Sequence, residues 1–169
     1  HKMNNKFDLI VIGGGHAGVE AALAGKRLNL NVALITLDQK KIGRMSCNPA
    51  VGGIGKTHLA REIDALGGVI CEATDLSGIQ FKTLNKKKGP AVQALRAQTD
   101  KLLYEKTIQK YIKKFDVTVI EDEIRKFLDD GNKITCAEGR KGTYIAKAYV
   151  LTTGTFLNGS ILILSLIHI

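Results

Sequence analysis

The chain has no tryptophan, only two prolines and three cysteines, and its acidic residues fall well short of its basic ones. Each shortage excludes something. Cys47, Cys71 and Cys136 are too few for a disulfide framework and none lies in a Cys-x-x-Cys pair, so a reducing compartment, the cytoplasm, is expected. No apolar run reaches the roughly twenty residues that cross a bilayer: Ile161–Ile169 is too short. No secretory signal is recognisable, and no membrane association is expected. Low-complexity linkers, internal repeats and groupings of residues at metal-ligand spacing are also missing. What is present suits one globular domain: 169 residues, 44% apolar, enough to bury a core. The net charge of +9 points to a polyanionic partner, because clustered Lys and Arg neutralise phosphates. A merely solvated basic surface is the plain alternative.

The apolar run Leu9-Ile10-Val11-Ile12 leads directly into Gly13-Gly14-Gly15-His16-Ala17-Gly18 and then an alanine-rich segment, Val19 to Leu28. This is a Gly-x-Gly-x-x-Gly turn between a buried strand and a helix, the context that gives the pattern meaning. Gly13 permits a tight turn, Gly15 lets backbone approach a pyrophosphate, and Gly18 lets helix and strand pack closely. Free amides and the dipole at the helix N-terminus favour the phosphate charge. Val32–Thr36 supplies the second strand. The usual ribose-binding carboxylate at its end is replaced by Thr36, with Asp38 two residues on. A threonine hydroxyl still provides one hydrogen bond.

Further along, Asp38 to Thr57 reads as a long glycine-containing loop, and a helix is expected over about His58–Leu66. Ile79–Leu84 reads as a short strand. Pro90 is placed to open a long helix over Ala91–Lys114, with Arg96 near the end that faces the cofactor cleft. Val117–Glu121 is the expected third parallel strand. Ile124–Leu128, Lys133–Ala137 and Thr143–Leu151 read as a small antiparallel excursion, with turns at Asp130–Asn132 and at Glu138-Gly139.

Ala50 to Thr57 mimics a phosphate-binding loop, but polar residues and Pro49 precede it where a buried strand is required, so a nucleoside triphosphate site is not expected. The segment reads better as a second glycine-rich loop against a cofactor. Just before it, Cys47 has Arg44 and Lys56 near in sequence, a setting that acidifies a thiol, although a small packed residue is the commoner role. His16 reads as a side chain pointing past the phosphates. Lys86–Lys88, Lys110 with Lys113 and Lys114, and Arg125-Lys126 form basic clusters.

Several strings together resemble the glucose-inhibited division protein A family, the flavin-dependent tRNA uridine carboxymethylaminomethyl-modification enzymes. They are Asp8–Gly18, Met45–Pro49 with Gly52–Lys56, Glu62–Gly68, Lys88–Val92 and Leu151–Leu157. The resemblance spans Phe7 to Gly159. It implies an α/β, Rossmann-like FAD-binding domain of the glutathione-reductase type, present in incomplete form. It further implies NADH as reductant, a folate one-carbon donor, tRNA and a GTPase as partners, and a homodimer. Carried over by position, Gly13, Gly14, Gly15, His16, Ala17 and Gly18 would cradle the FAD pyrophosphate. Ile124 would meet the adenine through its backbone, Thr153-Gly154 would form a second flavin-contacting turn, and Cys47 would act in the chemistry.

Thr57 departs from the family's usual glycine, and the residues after Gly159 depart from its usual string. Family members are several times longer. Residues 1–169 are therefore expected to form one truncated domain, inactive alone, with 1–3 foreign to the natural chain and 160–169 an atypical tail. A stand-alone FAD- or NAD-dependent oxidoreductase and a non-catalytic RNA-binding module are the competing readings.

Overall fold

A computed structural model describes residues 6–45 and 48–157; Cys47 and the tail over 160–169 lie outside the described residues. The chain opens with β1 (Lys6–Ile12), α1 (His16–Arg27) and β2 (Val32–Thr36), then β3 (Ala50–Gly52), α2 (Lys56–Ala65) and α3 (Ile70–Ser77). It continues through β4 (Gly78–Leu84), β5 (Ala94–Thr99), α4 (Lys101–Lys114), β6 (Thr118–Glu121), β7 (Ile124–Asp129), β8 (Ile134–Gly139) and β9 (Thr143–Leu151).

Six strands form one sheet in the order β6-β2-β1-β9-β8-β7, and three form a second, β3-β5-β4. In the large sheet β6, β2, β1 and β9 run parallel, while β8 and β7 turn back antiparallel. β1 is central and covered on both faces, which is why its sequence is an unbroken apolar run rather than an alternating one. Val11 packs on one face with Val19 and Leu23 of α1, and with Tyr104, Ile108 and Ile112 of α4. Ile10 and Ile12 pack on the other with Ala33, Ile35, Ile120 and Tyr144. Ile10, Val11, Leu23 and Leu34 are wholly buried, each such side chain contributing about 1.5–3 kcal/mol.

The strand order reverses between β1 and β9. In sheets of this kind ligands bind beyond the carboxyl ends of the strands at that point. Here the glycine turn lies at the mouth of the reversal.

Two expectations are corrected. Residues 91–114 are not one helix: Pro90–Val92 makes a single tight turn, Ala94–Thr99 is β5, and only Lys101–Lys114 is helical. The helix starts where Asp100 caps it, its carboxylate accepting the Leu103 amide at 2.8 Å. Arg96 therefore lies on a strand paired with Gly52 and Lys82, not on a helix end. The stretch Asp38–Thr57 also holds a short strand, β3, and α2 begins at Lys56 rather than His58.

Two features are additional. β9 meets β8 antiparallel only near its start and then runs parallel beside β1 over residues 145–151, so it belongs chiefly to the main sheet. Between α2 and β4 stands α3, a helix that the local sequence pattern does not announce.

Candidate functional site

The glycine turn is held from three sides. The Gly13 amide donates to the Ile35 carbonyl at 2.8 Å, and the Gly43 amide donates to the Gly14 carbonyl at 2.9 Å. From β9, the Thr152 hydroxyl bridges the carbonyl oxygens of Ile12 and Gly13, 2.9 and 3.1 Å away. Gly13 is in the left-handed region at φ 112°, where a side chain is strained.

The glycines of the turn differ in what a Cβ would meet. At Gly18 it would overlap the Gly13 carbonyl oxygen and lie 2.7 Å from the Thr152 hydroxyl. At Gly14 it would lie 2.8 Å from the Thr36 hydroxyl. At Gly15 it would meet no atom within 4 Å. Gly13, Gly14 and Gly18 thus serve the packing of the turn, whereas Gly15 faces open space.

Gly15 is also the N-cap of α1, extended at φ −73°, ψ −176°, with no side-chain cap and no acidic residue in the first turn. The first amides of α1 have no partner within their helix, so they point into that space with the positive end of the dipole behind them. A diphosphate fits this cradle: it brings acceptor oxygens to free donors and negative charge to the dipole. Gly154, also left-handed at φ 57°, is equally open on its Cβ side. Thr153 and Gly154 follow directly after Thr152, across the strand reversal from Gly13.

At the end of β2, Thr36 is brought beside Gly14, and its carbonyl accepts the Asp122 amide at 3.0 Å. That bond carries the chain from β6 towards Ile124, which opens β7 half-buried against the second core cluster. The site thereby gathers Thr36, the glycine turn and the segment leading to Ile124 at one edge of the sheet. Asp38 does not offer a free carboxylate. It accepts the Lys40 amide at 2.9 Å and pairs with Lys41 at 3.0 Å.

A cavity of about 520 Å³ continues from the start of α1, bounded by His16, Arg44, Asn48 and Lys56 and floored by apolar residues including Met45 and Leu59. Its size is that of small-molecule sites generally. Arg44 is oriented by Glu105 of α4, with nitrogen–oxygen distances of 3.0 and 3.3 Å. Lys56 does not behave as a phosphate-loop lysine. Its ammonium donates to the Ala50 carbonyl at 3.1 Å, and the Thr57 hydroxyl is tied to backbone carbonyls of Gly53 and Leu95.

His16 does not point past the glycine turn. Its ring packs on Tyr104 with centroids 5.5 Å apart, and burial followed by the charge of Lys56 lowers its pKa below the usual histidine value.

Asp122 is a residue that sequence reading passed over. It is 5% exposed and accepts the amides of Glu123, Arg140 and Lys141 and the Tyr144 hydroxyl, at 2.7–3.0 Å. It pins the turn between β8 and β9 beneath the end of β6. Burial pushes its pKa up, but these hydrogen bonds outweigh burial and hold it below the ordinary carboxylate value. Thr152 was equally unmarked, although it adjoins Thr153-Gly154. Among the described residues there is no cluster of metal-ligating side chains, and no helix is long and apolar enough to cross a membrane.

Comparison with known proteins bears on this geometry. The family model "Glucose inhibited division protein A" matches residues 8–167. Two crystal forms of Aquifex aeolicus GidA superpose with a TM-score of 0.85, at 44% and 47% identity over 92% and 90% of this chain. The chain spans only 26% of the length of either. A Bacillus halodurans glycerol-3-phosphate dehydrogenase complexed with FAD aligns at 17% identity over 89% of this chain and 34% of its own, with a TM-score of 0.59. That likeness shows a shared fold, the Rossmann-like arrangement of FAD-binding proteins. With the family model covering nearly every residue, this chain belongs to the glucose-inhibited division protein A family.

Proposed function

We propose that this chain is the FAD-binding domain of a tRNA-modifying flavoenzyme. The observation that carries the reading is the open helix N-terminus at Gly15, shaped for a diphosphate, in a chain so similar to GidA. In this reading the backbone from Gly13 to Gly18, with His16 and Ala17, holds the diphosphate. Thr36 meets the adenosine ribose with its hydroxyl, and the backbone at Ile124 borders the adenine. Thr153-Gly154 approaches the flavin half from across the sheet. Bound FAD would supply two-electron redox chemistry. The protein residues bind, orient and shield it.

The parent activity is addition of a carboxymethylaminomethyl-type group to carbon 5 of the wobble uridine, with NADH as reductant and a GTPase partner, in a cytoplasmic homodimer. The +9 charge supports tRNA as the polyanion. Cys47 is proposed to act on the uracil ring; Cys47→Ser in a whole-length relative should abolish modification while FAD remains bound, and unchanged modification would remove the role.

Purified protein soaked in FAD and desalted should be yellow and release one FAD on denaturation. A colourless protein that still shifts tRNA in a salt-dependent manner would favour a non-catalytic RNA-binding module. Flavin reduction by NADH, turning over a small substrate without tRNA, would favour a stand-alone oxidoreductase.

A further inference from the structure

Among the described residues, three buried polar atoms near the start of α1 have no hydrogen-bond partner: His16 Nε2, Glu20 Oε2 and the Tyr104 hydroxyl. They belong to one neighbourhood. His16 and Glu20 are four residues apart on α1, so they share a face of the helix. The Tyr104 ring packs on His16, and its hydroxyl feels the charge of Glu20. Glu20 is 8% exposed and Tyr104 fully buried. Buried polar groups are nearly always satisfied, so three orphans together need an explanation.

Structural duty accounts for half of Glu20 only. Its Oε1 accepts the amides of Val69 and Ile70, both at 2.8 Å, and so caps α3 from across the fold. Oε2 is left over. A carboxylate oxygen can only accept, and a tyrosine hydroxyl can donate once and accept as well. What the group lacks is a further donor. Protonation of His16 supplies one, because an imidazolium donates through both ring nitrogens.

The charges around His16 decide when that happens. Lys56 on α2 opposes a second positive charge, and burial opposes any charge at all. Arg44, which lines the same cavity, is engaged by Glu105. Glu20 lies one turn further along the same face of α1. Tyr104 on α4 and Cys71 on α3 are neutral near pH 7, each with its pKa raised chiefly by burial. Without a ligand, the opposing influences prevail. A diphosphate at the amides of His16 and Ala17 adds negative charge beside the ring and reverses the balance.

We propose that dinucleotide binding is proton-linked through His16: a diphosphate seated on the N-terminus of α1 draws one proton from solvent onto the imidazole, whose second N–H then serves the Glu20–Tyr104 pair. No covalent bond forms or breaks apart from that protonation. The inference rests on the proposed FAD site and adds to it a residue that senses occupancy. Linkage fixes the sign: affinity rises as pH falls through the interval between the free and bound titration points of His16, and is flat on either side.

The test is calorimetric titration of the chain with FAD in two buffers of different ionisation enthalpy. FAD carries a diphosphate diester that does not titrate near neutrality, so proton uptake reports the protein. At about pH 6.5 the expected uptake is a measurable fraction of a proton, about 0.3–1 per FAD, falling towards zero above about pH 8. His16→Gln, which hydrogen-bonds but cannot titrate, should bind FAD without uptake. Binding of FAD by the wild-type chain without proton uptake overturns this inference and leaves the FAD reading standing. Failure to bind FAD overturns both. Equal uptake by His16→Gln also overturns it. If that variant does not fold, the imidazole NMR signals of the wild-type chain decide: the His16 titration must move to higher pH with FAD, and an unmoved titration refutes the coupling.

Discussion

Alanine at Gly15 and alanine at Gly18 should have opposite signatures, although the positions are three residues apart in one motif. At Gly18 the new methyl would overlap the Gly13 carbonyl oxygen and press on the Thr152 hydroxyl, so either the glycine turn or the end of β9 must move. Overpacking of this kind costs about 1–3 kcal/mol, and backbone against backbone places it at the upper end. Gly15 has an ordinary φ of −73°, and its Cβ direction is empty. Alanine there is a poorer N-cap, which costs under about 1 kcal/mol. The methyl instead occupies space that a bound diphosphate would use. Displacing the phosphates from the amides weakens charge-assisted hydrogen bonds and should raise the FAD dissociation constant at least tenfold, about 1.4 kcal/mol. Urea unfolding of the FAD-free proteins and quenching of FAD fluorescence measure the two effects separately. Gly15→Ala binding FAD as tightly as wild type would refute the assignment of that space to a ligand. Gly18→Ala keeping full stability would refute the packing argument.

Other predictions concern the supports of the site. Asp122→Ala removes the shared acceptor of four donor groups at the end of β6 and should destabilise by about 2–4 kcal/mol, read by urea unfolding at pH 7. Because the folded pKa of Asp122 is depressed, its contribution is complete above the unfolded carboxylate value of about 3.9 and disappears as pH falls through the folded value. Acid titrations of wild type and Asp122→Ala should accordingly converge at low pH; a constant gap would contradict the linkage. Tyr104→Phe removes an unpartnered buried hydroxyl and should leave the FAD-free protein as stable as wild type or up to about 1 kcal/mol more stable. A large loss in thermal unfolding would show that the hydroxyl is already bonded. Thr152→Val keeps the shape but removes the bridge to Ile12 and Gly13, at a cost of about 1 kcal/mol and some FAD affinity, both visible in the same two assays.

What was legible in the sequence was local. β1, the glycine turn, α1 and β2 are written in contiguous residues, and their periodicity and glycine spacing are determined within about thirty positions. The misread elements depend on distant partners or on one overlooked cap. α3 is short and receives its N-terminal cap from Glu20, 49 residues earlier, so no local pattern marks its start. The sequence pattern joins β5 to α4 because Pro90 offers a helix start, whereas Asp100 is the cap the helix uses. β9 pairs with β1 from more than 130 residues away, which separates it from its own hairpin. Asp122 is unmarked for a related reason: its donors, from residues 123 to 144, gather only once the β7–β9 hairpins have folded. The inward turn of His16 was hidden too, because only the folded α4 brings Tyr104 to it. Gly13, Gly14, Gly15, Gly18 and Thr36 come together at one turn because a strand-turn-helix-strand unit places them without distant contacts.

Backbone amide NMR of the isotopically labelled chain during titration with FAD tests the central claim most directly. The account predicts the largest shifts at Gly15, His16, Ala17 and Gly18, with smaller ones at Thr36 and at Thr153-Gly154, saturating at one FAD per chain. An unchanged spectrum, or shifts confined to the β3-β5-β4 sheet, would contradict it.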